Sequence, residues 1–194
     1  PGAPTARSGH ASCTDTVLQD VVLFGGQGLT LLGDTWQLHA GTWQQVAVGA
    51  GPTPRSGHAM AYDAAHQRVV LFGGDDGAPT GDTWSWDGTS WTELAIAGPS
   101  PRAGHAMAYD AARQRVVLFG GSAAPGTALA DTWEFDGFGW TQVVTAGGPV
   151  ARDGHAMVFA GGQVLMYGGR SPAIRLVADT WRWSGTLWQP VLTA

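Results

Sequence analysis

The sequence predicts an all-β protein built from four similar units, each a four-stranded antiparallel sheet. Two recurring phrases carry this prediction. The first, from Pro101 to Gly121, reads as a β-hairpin, with a strand after His105, a turn after Tyr109 and a returning strand that ends at Gly120. The second is Asp-Thr-Trp, followed seven residues after its tryptophan by another tryptophan, and it supplies the third and fourth strands.

Four short motifs within these phrases recur in the same order along the chain: Arg-x-Gly-His, Gly-Gly, Asp-Thr-Trp and the later tryptophan. Arg-x-Gly-His occupies residues 7–10, 55–58, 102–105 and 152–155, and the Gly-Gly pair begins at Gly25, Gly73, Gly120 and Gly168. Asp-Thr-Trp begins at Asp34, Asp82, Asp131 and Asp179, and the later tryptophans are Trp43, Trp91, Trp140 and Trp188. The interval of about 47 to 50 residues fits a β-propeller blade and is too long for a leucine-rich or ankyrin unit. We expect a single domain over 1–194, with repeats over about 1–50, 51–97, 98–147 and 148–194.

On these motifs the chain resembles the kelch-repeat β-propellers, in the bacterial style that reads RxGHAMAYD, RVVLFGG, DTW and W. The resemblance covers nearly the whole chain and implies four kelch-type blades. It also implies that the first strand of each hairpin lines a central channel, and that the start of this strand and the loop after Gly-Gly emerge on one face. Because fold and activity separate readily, the resemblance predicts architecture more sharply than function.

Composition narrows the class of partner. Charged residues make up 13% of the chain and the formal net charge is -5, which argues against binding to nucleic acid or to an anionic membrane surface. No stretch approaches the roughly 20 apolar residues of a membrane helix, and no signal peptide is recognised. The single cysteine, Cys13, is interpreted as a small core residue, and the localisation stays open.

The loops between Gly-Gly and Asp-Thr-Trp are the variable part of the repeat. They read QGLTLLG, DDGAPTG, SAAPGTALA and RSPAIRLVA, whereas the strands around them repeat, which is typical of specificity carried on a scaffold. Apolar side chains in such loops favour a binding surface, unless they bury against each other. The candidate binding residues in these loops are Leu31, Leu32, Asp75, Asp76, Arg170, Ile174, Arg175 and Leu176.

The recurrent arginines and histidines each have two interpretations. Arg7, Arg55, Arg102 and Arg152 could line the channel mouth and clamp an anionic ligand, or each could pair with an Asp-Thr-Trp aspartate as part of the scaffold. The histidines at 10, 58, 105 and 155 could meet a metal, but hydrogen bonds to neighbouring backbone are the favoured interpretation. We therefore predict neither a metal site nor a cofactor.

Three hypotheses for function follow. The favoured one is a non-catalytic binding module that presents its loops and the arginine-lined mouth to a protein or a small polar or anionic ligand. The second is an enzyme or pseudo-enzyme with its pocket at the channel mouth, for which the sequence offers arginine, histidine and aspartate candidates but no recognisable triad. The third is an architectural arc of a larger or dimeric propeller.

The third hypothesis arises because kelch rings usually have more blades than the four encoded here. An open arc would expose an apolar sheet face at each end. We therefore expect the chain either to close as a strained four-bladed ring or to pair with a second copy as a homodimer of eight blades. The self-contained ring is the favoured expectation.

Overall fold

The computed structural model describes residues 2–46 and 49–192, so residue 1 and residues 193–194, at the ends of the predicted domain, and residues 47–48 lie outside it. All regular structure in the described ranges is β-strand. None of these residues forms a helix long and apolar enough to cross a membrane.

Each repeat forms one four-stranded antiparallel sheet, which confirms the strand assignment made from the two recurring phrases. Sheet 1 contains β1 (Ala11–Asp15), β2 (Asp20–Gln27), β3 (Leu31–His39) and β4 (Thr42–Val46). Sheet 2 contains β5 (Ala59–Asp63), β6 (Arg68–Asp75), β7 (Pro79–Trp86) and β8 (Trp91–Leu94). In both sheets the strands pair in chain order.

Sheets 3 and 4 repeat the pattern and each add a separate short hairpin after Gly-Gly. Sheet 3 contains β9 (Ala106–Asp110), β10 (Arg115–Phe119), β13 (Thr132–Phe135) and β14 (Trp140–Val143), with β11 (Ser122–Ala124) paired to β12 (Thr127–Ala128). Sheet 4 contains β15 (Ala156–Ala160), β16 (Gln163–Tyr167), β19 (Thr180–Trp183) and β20 (Trp188–Pro190), with β17 (Arg170–Ser171) paired to β18 (Arg175–Leu176). In sheets 1 and 2 the same hairpin is a continuation of the second and third strands past a β-bulge.

The apolar runs of the second strands form the core because each is covered on both faces. Val69, Val70, Leu71 and Phe72 are all buried, as the absence of alternation in this run predicts. The aromatic pair Trp84 and Trp86 lies on one side of β7 and packs against the preceding sheet, in a cluster with Val22 and Phe24. The core is therefore made of successive layers between neighbouring sheets.

One set of contacts repeats at all three boundaries between neighbouring sheets. At the first boundary, the Phe24 ring is met edge-on by His58 and by Trp91 of the next sheet, with ring centroids 5.5 and 5.3 Å away. Trp91 also donates its Nε1–H to Thr35 Oγ1 at 2.9 Å. The later boundaries use the same groups: Phe72 with His105 and Trp140, and Phe119 with His155 and Trp188. We call this set the phenylalanine–histidine–tryptophan contact.

The Gly-Gly turns allow neighbouring sheets to approach closely. Gly73 has φ +62°, and a Cβ atom there would lie 2.7 Å from the Arg102 carbonyl oxygen and 3.2 Å from the His105 ring. The following N–H, of Gly74, donates to that same carbonyl at 2.9 Å. Glycine is therefore required at this position by backbone conformation and by space.

We expect Gly73→Ala to lower the free energy of unfolding by more than about 2 kcal/mol, because the left-handed conformation alone costs a non-glycine residue roughly 1–2 kcal/mol and the Arg102 carbonyl must also move. Urea denaturation followed by tryptophan fluorescence measures the loss. The matched control is Gly162→Ala, since Gly162 has φ +80° but nothing within 4 Å of its added Cβ. Equal losses in the two variants would contradict the close-approach argument.

The contacts do not continue from the fourth sheet back to the first. Among residues 2–46 and 49–192, no hydrogen bond joins sheet 1 to sheet 4. Tyr167, which takes the place of Phe119 in sheet 4, is 57% exposed. The structure thus confirms an all-β chain of four antiparallel sheets, and it does not confirm the expected closure into a self-contained four-bladed ring.

Candidate functional site

The variable loops between Gly-Gly and Asp-Thr-Trp emerge beside the segments that enter the first strands, as we expected from the sequence. One isolated antiparallel bridge joins the two in each repeat: Ser8 with Gln27, Ser56 with Asp75, Ala103 with Ser122, and Asp153 with Arg170. We call the surface formed by these loops and entering segments the loop face. It lies at the end of the second strands opposite to the hairpin turns, such as the turn at Leu18.

The loop face contains a cavity of about 250 Å³ at the β17–β18 hairpin. It is lined by Gly126, Asp153, Arg170, Ser171, Pro172, Arg175 and Leu176. Gly126 belongs to the hairpin loop of sheet 3, so the cavity lies between the loops of the third and fourth repeats. Three of the predicted binding residues, Arg170, Arg175 and Leu176, thus share one concave site, and Ile174 is next to them in the chain.

The two arginines of this cavity differ in their partners. Arg170 donates from Nε to Asp153 Oδ1 at 2.9 Å, and its Nη2 lies 2.8 Å from the same oxygen. Arg175 has no carboxylate partner among the described residues, and its φ of +69° is unusual for a non-glycine residue. Ile174 and Leu176 are 57% and 78% exposed. The site therefore offers an apolar surface beside a cation whose charge no carboxylate among the described residues neutralises.

The other four loop candidates are not part of this cavity. Leu31 and Leu32 are half-buried at the start of β3, where they pair with Gln27 and Gly26. Asp75 accepts a hydrogen bond from the Gly77 N–H, and Asp76 accepts one from the Thr53 hydroxyl at 2.8 Å. These residues remain candidates on the loop face, at the first and second repeats.

The recurrent arginines are buried in pairs with the Asp-Thr-Trp aspartates, which is the scaffold alternative of the sequence analysis. Arg102 donates to both carboxylate oxygens of Asp131, at 2.6 and 2.8 Å, and to the Gly120 carbonyl at 3.0 Å. Its remaining N–H groups donate to the Ser100 carbonyl and hydroxyl oxygens. The corresponding pairs are Arg7 with Asp34, Arg55 with Asp82, and Arg152 with Asp179.

These pairs engage the recurrent arginines within the protein. All five N–H donors of Arg102 are used within its own repeat, so none remains to clamp an anion. Burial by itself would raise the pKa of Asp131. The hydrogen bonds from Arg102 and Trp133, together with the charge of Arg102, more than offset burial, and the pKa lies below its usual range.

The recurrent histidines are buried between sheets in three of the four repeats. No ring nitrogen of His58, His105 or His155 meets strict hydrogen-bond geometry among the described residues. Each ring nevertheless lies close to the backbone of a phenylalanine in the preceding sheet, Phe24, Phe72 or Phe119, and this contact favours the protonated ring and offsets a small part of the fall in its pKa. Burial, with a smaller contribution from the adjacent arginine, lowers the pKa of His58 and His105 to about 3 and that of His155 to about 4. The described residues contain no group of three or more histidine, cysteine, aspartate or glutamate side chains suited to a metal ion. These rings therefore act as packing groups of the phenylalanine–histidine–tryptophan contact.

A comparison with protein-family models matches residues 84–189, more than half of the chain, to the KLHDC2/KLHL20/DRC7 Kelch-repeats domain. The chain belongs to the kelch-repeat family. No curated protein matches it significantly. Kelch-repeat domains generally mediate protein interactions, which is consistent with a binding module.

The first strands of the four kelch repeats line a second cavity, of about 400 Å³. Its lining is polar and apolar in equal measure, with Met60, Met107 and Met157 in equivalent positions. Cys13 also lines it, and burial, with a smaller contribution from Asp15, raises the pKa of this thiol to about 12. A thiol that stays protonated at neutral pH is a poor nucleophile, so Cys13 is not suited to covalent catalysis.

The sequence analysis named three of the seven residues that line the loop-face cavity, and the one charged lining residue that it missed is Asp153. Asp153 occupies the variable position of Arg-x-Gly-His, where the other kelch repeats have Ser8, Ser56 and Ala103. A charged residue at a position that is otherwise small marks a departure from the scaffold. That signal was available in the sequence and points to the fourth repeat as the specialised one.

Proposed function

We propose that this chain is a non-catalytic interaction module whose loop face binds a protein partner. In this proposal the four sheets are propeller blades around the cavity that their first strands line. The observation that carries the proposal is the cavity of about 250 Å³ at the β17–β18 hairpin. It combines the exposed Leu176 with Arg175, a cation that lacks a carboxylate partner in the described part of the chain. Exposed apolar side chains beside an unpaired cation are the features expected of a docking site.

The chemistry of the cavity indicates the segment of the partner that it binds. The lining at Pro172 and Leu176 suits an apolar side chain. Arg175 suits a carboxylate next to that side chain, because a guanidinium group binds a carboxylate through two parallel N–H donors. Arg170 is already engaged with Asp153 and therefore orients the cavity wall. The favoured ligand is a protein segment with an acidic residue adjacent to a large apolar one.

The test is selection from a random peptide library displayed on phage, followed by fluorescence anisotropy with the selected peptides. We expect the peptides to share an acidic residue beside a large apolar one. Arg175→Glu and Leu176→Ser should each weaken binding by about tenfold or more, because each removes a central contact of a small interface. Addition of salt should weaken binding to the unmodified protein and leave the residual binding of Arg175→Glu less affected.

The control is Leu18→Ser, an exposed leucine in the turn between β1 and β2, at the opposite end of the strands. It should leave peptide affinity unchanged. Two results would count against the proposal: a library that yields no binder, or selected peptides whose affinity is insensitive to both cavity variants. Far-ultraviolet circular dichroism of each variant separates lost binding from lost folding.

A further inference from the structure

The phenylalanine–histidine–tryptophan contact is complete at the three boundaries between neighbouring sheets. At the two ends of the series, sheet 4 presents one half of this contact and sheet 1 presents the other half. Each boundary also contains the same backbone hydrogen bonds. Gly26 N–H donates to the Arg55 carbonyl at 2.8 Å, Arg55 N–H donates to the Leu32 carbonyl at 3.1 Å, and Gly57 N–H donates to the Gly9 carbonyl at 2.8 Å. At each boundary the preceding sheet thus contributes the phenylalanine, the threonine and the Gly-Gly pair, which we call the preceding-sheet set. The following sheet contributes the histidine, the tryptophan and the arginine carbonyl, which we call the following-sheet set.

Sheet 4 presents the preceding-sheet set with no following sheet on it. Tyr167 stands where Phe24, Phe72 and Phe119 receive a histidine and a tryptophan, and it is 57% exposed. Thr180 stands where Thr35, Thr83 and Thr132 each accept a tryptophan Nε1–H. The Gly168–Gly169 turn is open, because the one described group near an added Cβ at Gly168 is the Val177 carbonyl at 3.4 Å. The nearby Val158 is an exposed apolar residue on the same sheet.

Sheet 1 presents the following-sheet set with no preceding sheet against it. His10 is exposed, whereas its counterparts His58, His105 and His155 are buried. Trp43 is only half-buried, whereas Trp91, Trp140 and Trp188 are buried. Among the described residues the Arg7 carbonyl has no glycine N–H on it, unlike the Arg55, Arg102 and Arg152 carbonyls. The groups that sheet 4 lacks are therefore present on sheet 1.

We propose that the open face of sheet 4 binds sheet 1 of a second copy of this chain, and that two such contacts related by a two-fold axis close a ring of eight sheets. The contact continues an interface that the chain already makes three times. His10 would enter the Gly168–Gly169 turn, Trp43 would donate to Thr180, and Tyr167 would lie between their two rings. A head-to-tail contact of this kind either closes or propagates, and the two-fold ring is the closed form.

The first test is the mass in solution, by light scattering after size exclusion at several concentrations. We expect a species of twice the 20.1 kDa of one chain, which dissociates on dilution. A mass of one chain at every concentration would overturn the proposal, and so would open-ended polymers. Arg175→Glu separates this proposal from the loop-face function, because Arg175 does not line the cavity around Tyr167, Gly168 and Gly169, whereas Leu176 does. Arg175→Glu should therefore weaken peptide binding and leave the mass unchanged.

Two single glycine-to-alanine variants provide a sharper test. In Gly168→Ala the added Cβ would meet the docked Arg7 carbonyl, since the equivalent distances at the three internal boundaries are 2.6 to 2.8 Å. We expect this variant to weaken the dimer at least about a hundredfold. Gly162→Ala is the matched control, because Gly162 also has a positive φ but lies in the β15–β16 turn with nothing within 4 Å. A dimer affinity that is equal in the two variants would rule out the proposed contact.

A covalent trap tests the geometry of the contact. At the internal boundaries, a Cβ built on Gly9, Gly57 or Gly104 lies 3.2 to 3.4 Å from the Cβ of Ser56, Ala103 or Asp153. The equivalent pair across the proposed contact is Gly154 of one copy and Ser8 of the other, close to the Cβ separation of a disulfide. In a Cys13→Ala background, the variant Ser8→Cys/Gly154→Cys should form a disulfide between copies, visible as a dimer band without reductant. Failure to cross-link, or a disulfide within one chain, would contradict the two-copy ring.

Discussion

Arg102→Ala should lower the free energy of unfolding by about 3 to 5 kcal/mol, the range observed when one partner of a buried ion pair is removed. Arg102 is fully buried and occupies all five of its N–H donors. Its removal takes two donors from the half-buried Asp131 carboxylate, which keeps only the Trp133 Nε1–H, and one donor from the Gly120 carbonyl. Denaturant unfolding followed by tryptophan fluorescence measures the change.

Two further variants make this prediction specific. Arg102→Lys keeps the charge but loses the two-point contact with Asp131, so it should recover only part of the stability. Arg170→Ala removes an arginine of an exposed pair, whose side chain is 73% accessible, and should change the free energy of unfolding by less than about 1 kcal/mol. Similar losses for Arg102→Ala and Arg170→Ala would show that burial of the recurrent pair contributes little.

The recurrence of Arg102 and Asp131 shows which features of the structure sequence periodicity can predict. Both residues return once per repeat, so the sequence predicts that they can pair. Periodicity does not reveal whether they are buried, because burial depends on how closely the next sheet approaches. The close approach at Gly73, with an added Cβ at 2.7 Å from the Arg102 carbonyl, is a property of two repeats together. The sequence alone therefore leaves both interpretations of the arginines open.

The sequence could not predict the packing partners of His105, for the same reason. Its ring lies edge-on against Phe72, which belongs to the preceding repeat, and it also lies close to the Phe72 backbone. A histidine that recurs in a polar-looking motif suggests a hydrogen bond or a metal, and only packing distinguishes these from an edge-on aromatic contact. The loop-face cavity was predictable in part, since Arg170 and Leu176 are irregular in sequence, but Gly126 joins it from another repeat.

The buried histidines should make the protein strongly sensitive to mild acid, with a loss of about 2 kcal/mol of stability per histidine between pH 7 and pH 5. In the unfolded chain a histidine binds its proton near pH 6.5. In the folded protein the pKa is about 3 for His58 and His105 and about 4 for His155. Between these values the unfolded state binds more protons, so stability falls as the pH decreases from about 6.5 and the loss levels off only below the folded pKa values.

Taken together, the three histidines should remove on the order of 6 kcal/mol by pH 5, enough to unfold a domain of ordinary stability. The pKa values of the Asp-Thr-Trp aspartates are lowered, so these carboxylates stay ionised over this range and do not account for the loss. Urea unfolding at fixed protein concentration, at pH 7 and at pH 5, provides the measurement.

His105→Gln should reduce the difference between the two pH values by about one third, because one of three similar groups no longer titrates. His39→Gln, at a histidine whose side chain is 65% exposed, controls for the substitution itself. Equal stability at pH 7 and pH 5 would mean that the three rings are hydrated or protonated in the folded state. Such a result would also contradict the tight packing of Phe72 against His105 on which the inter-sheet contact depends.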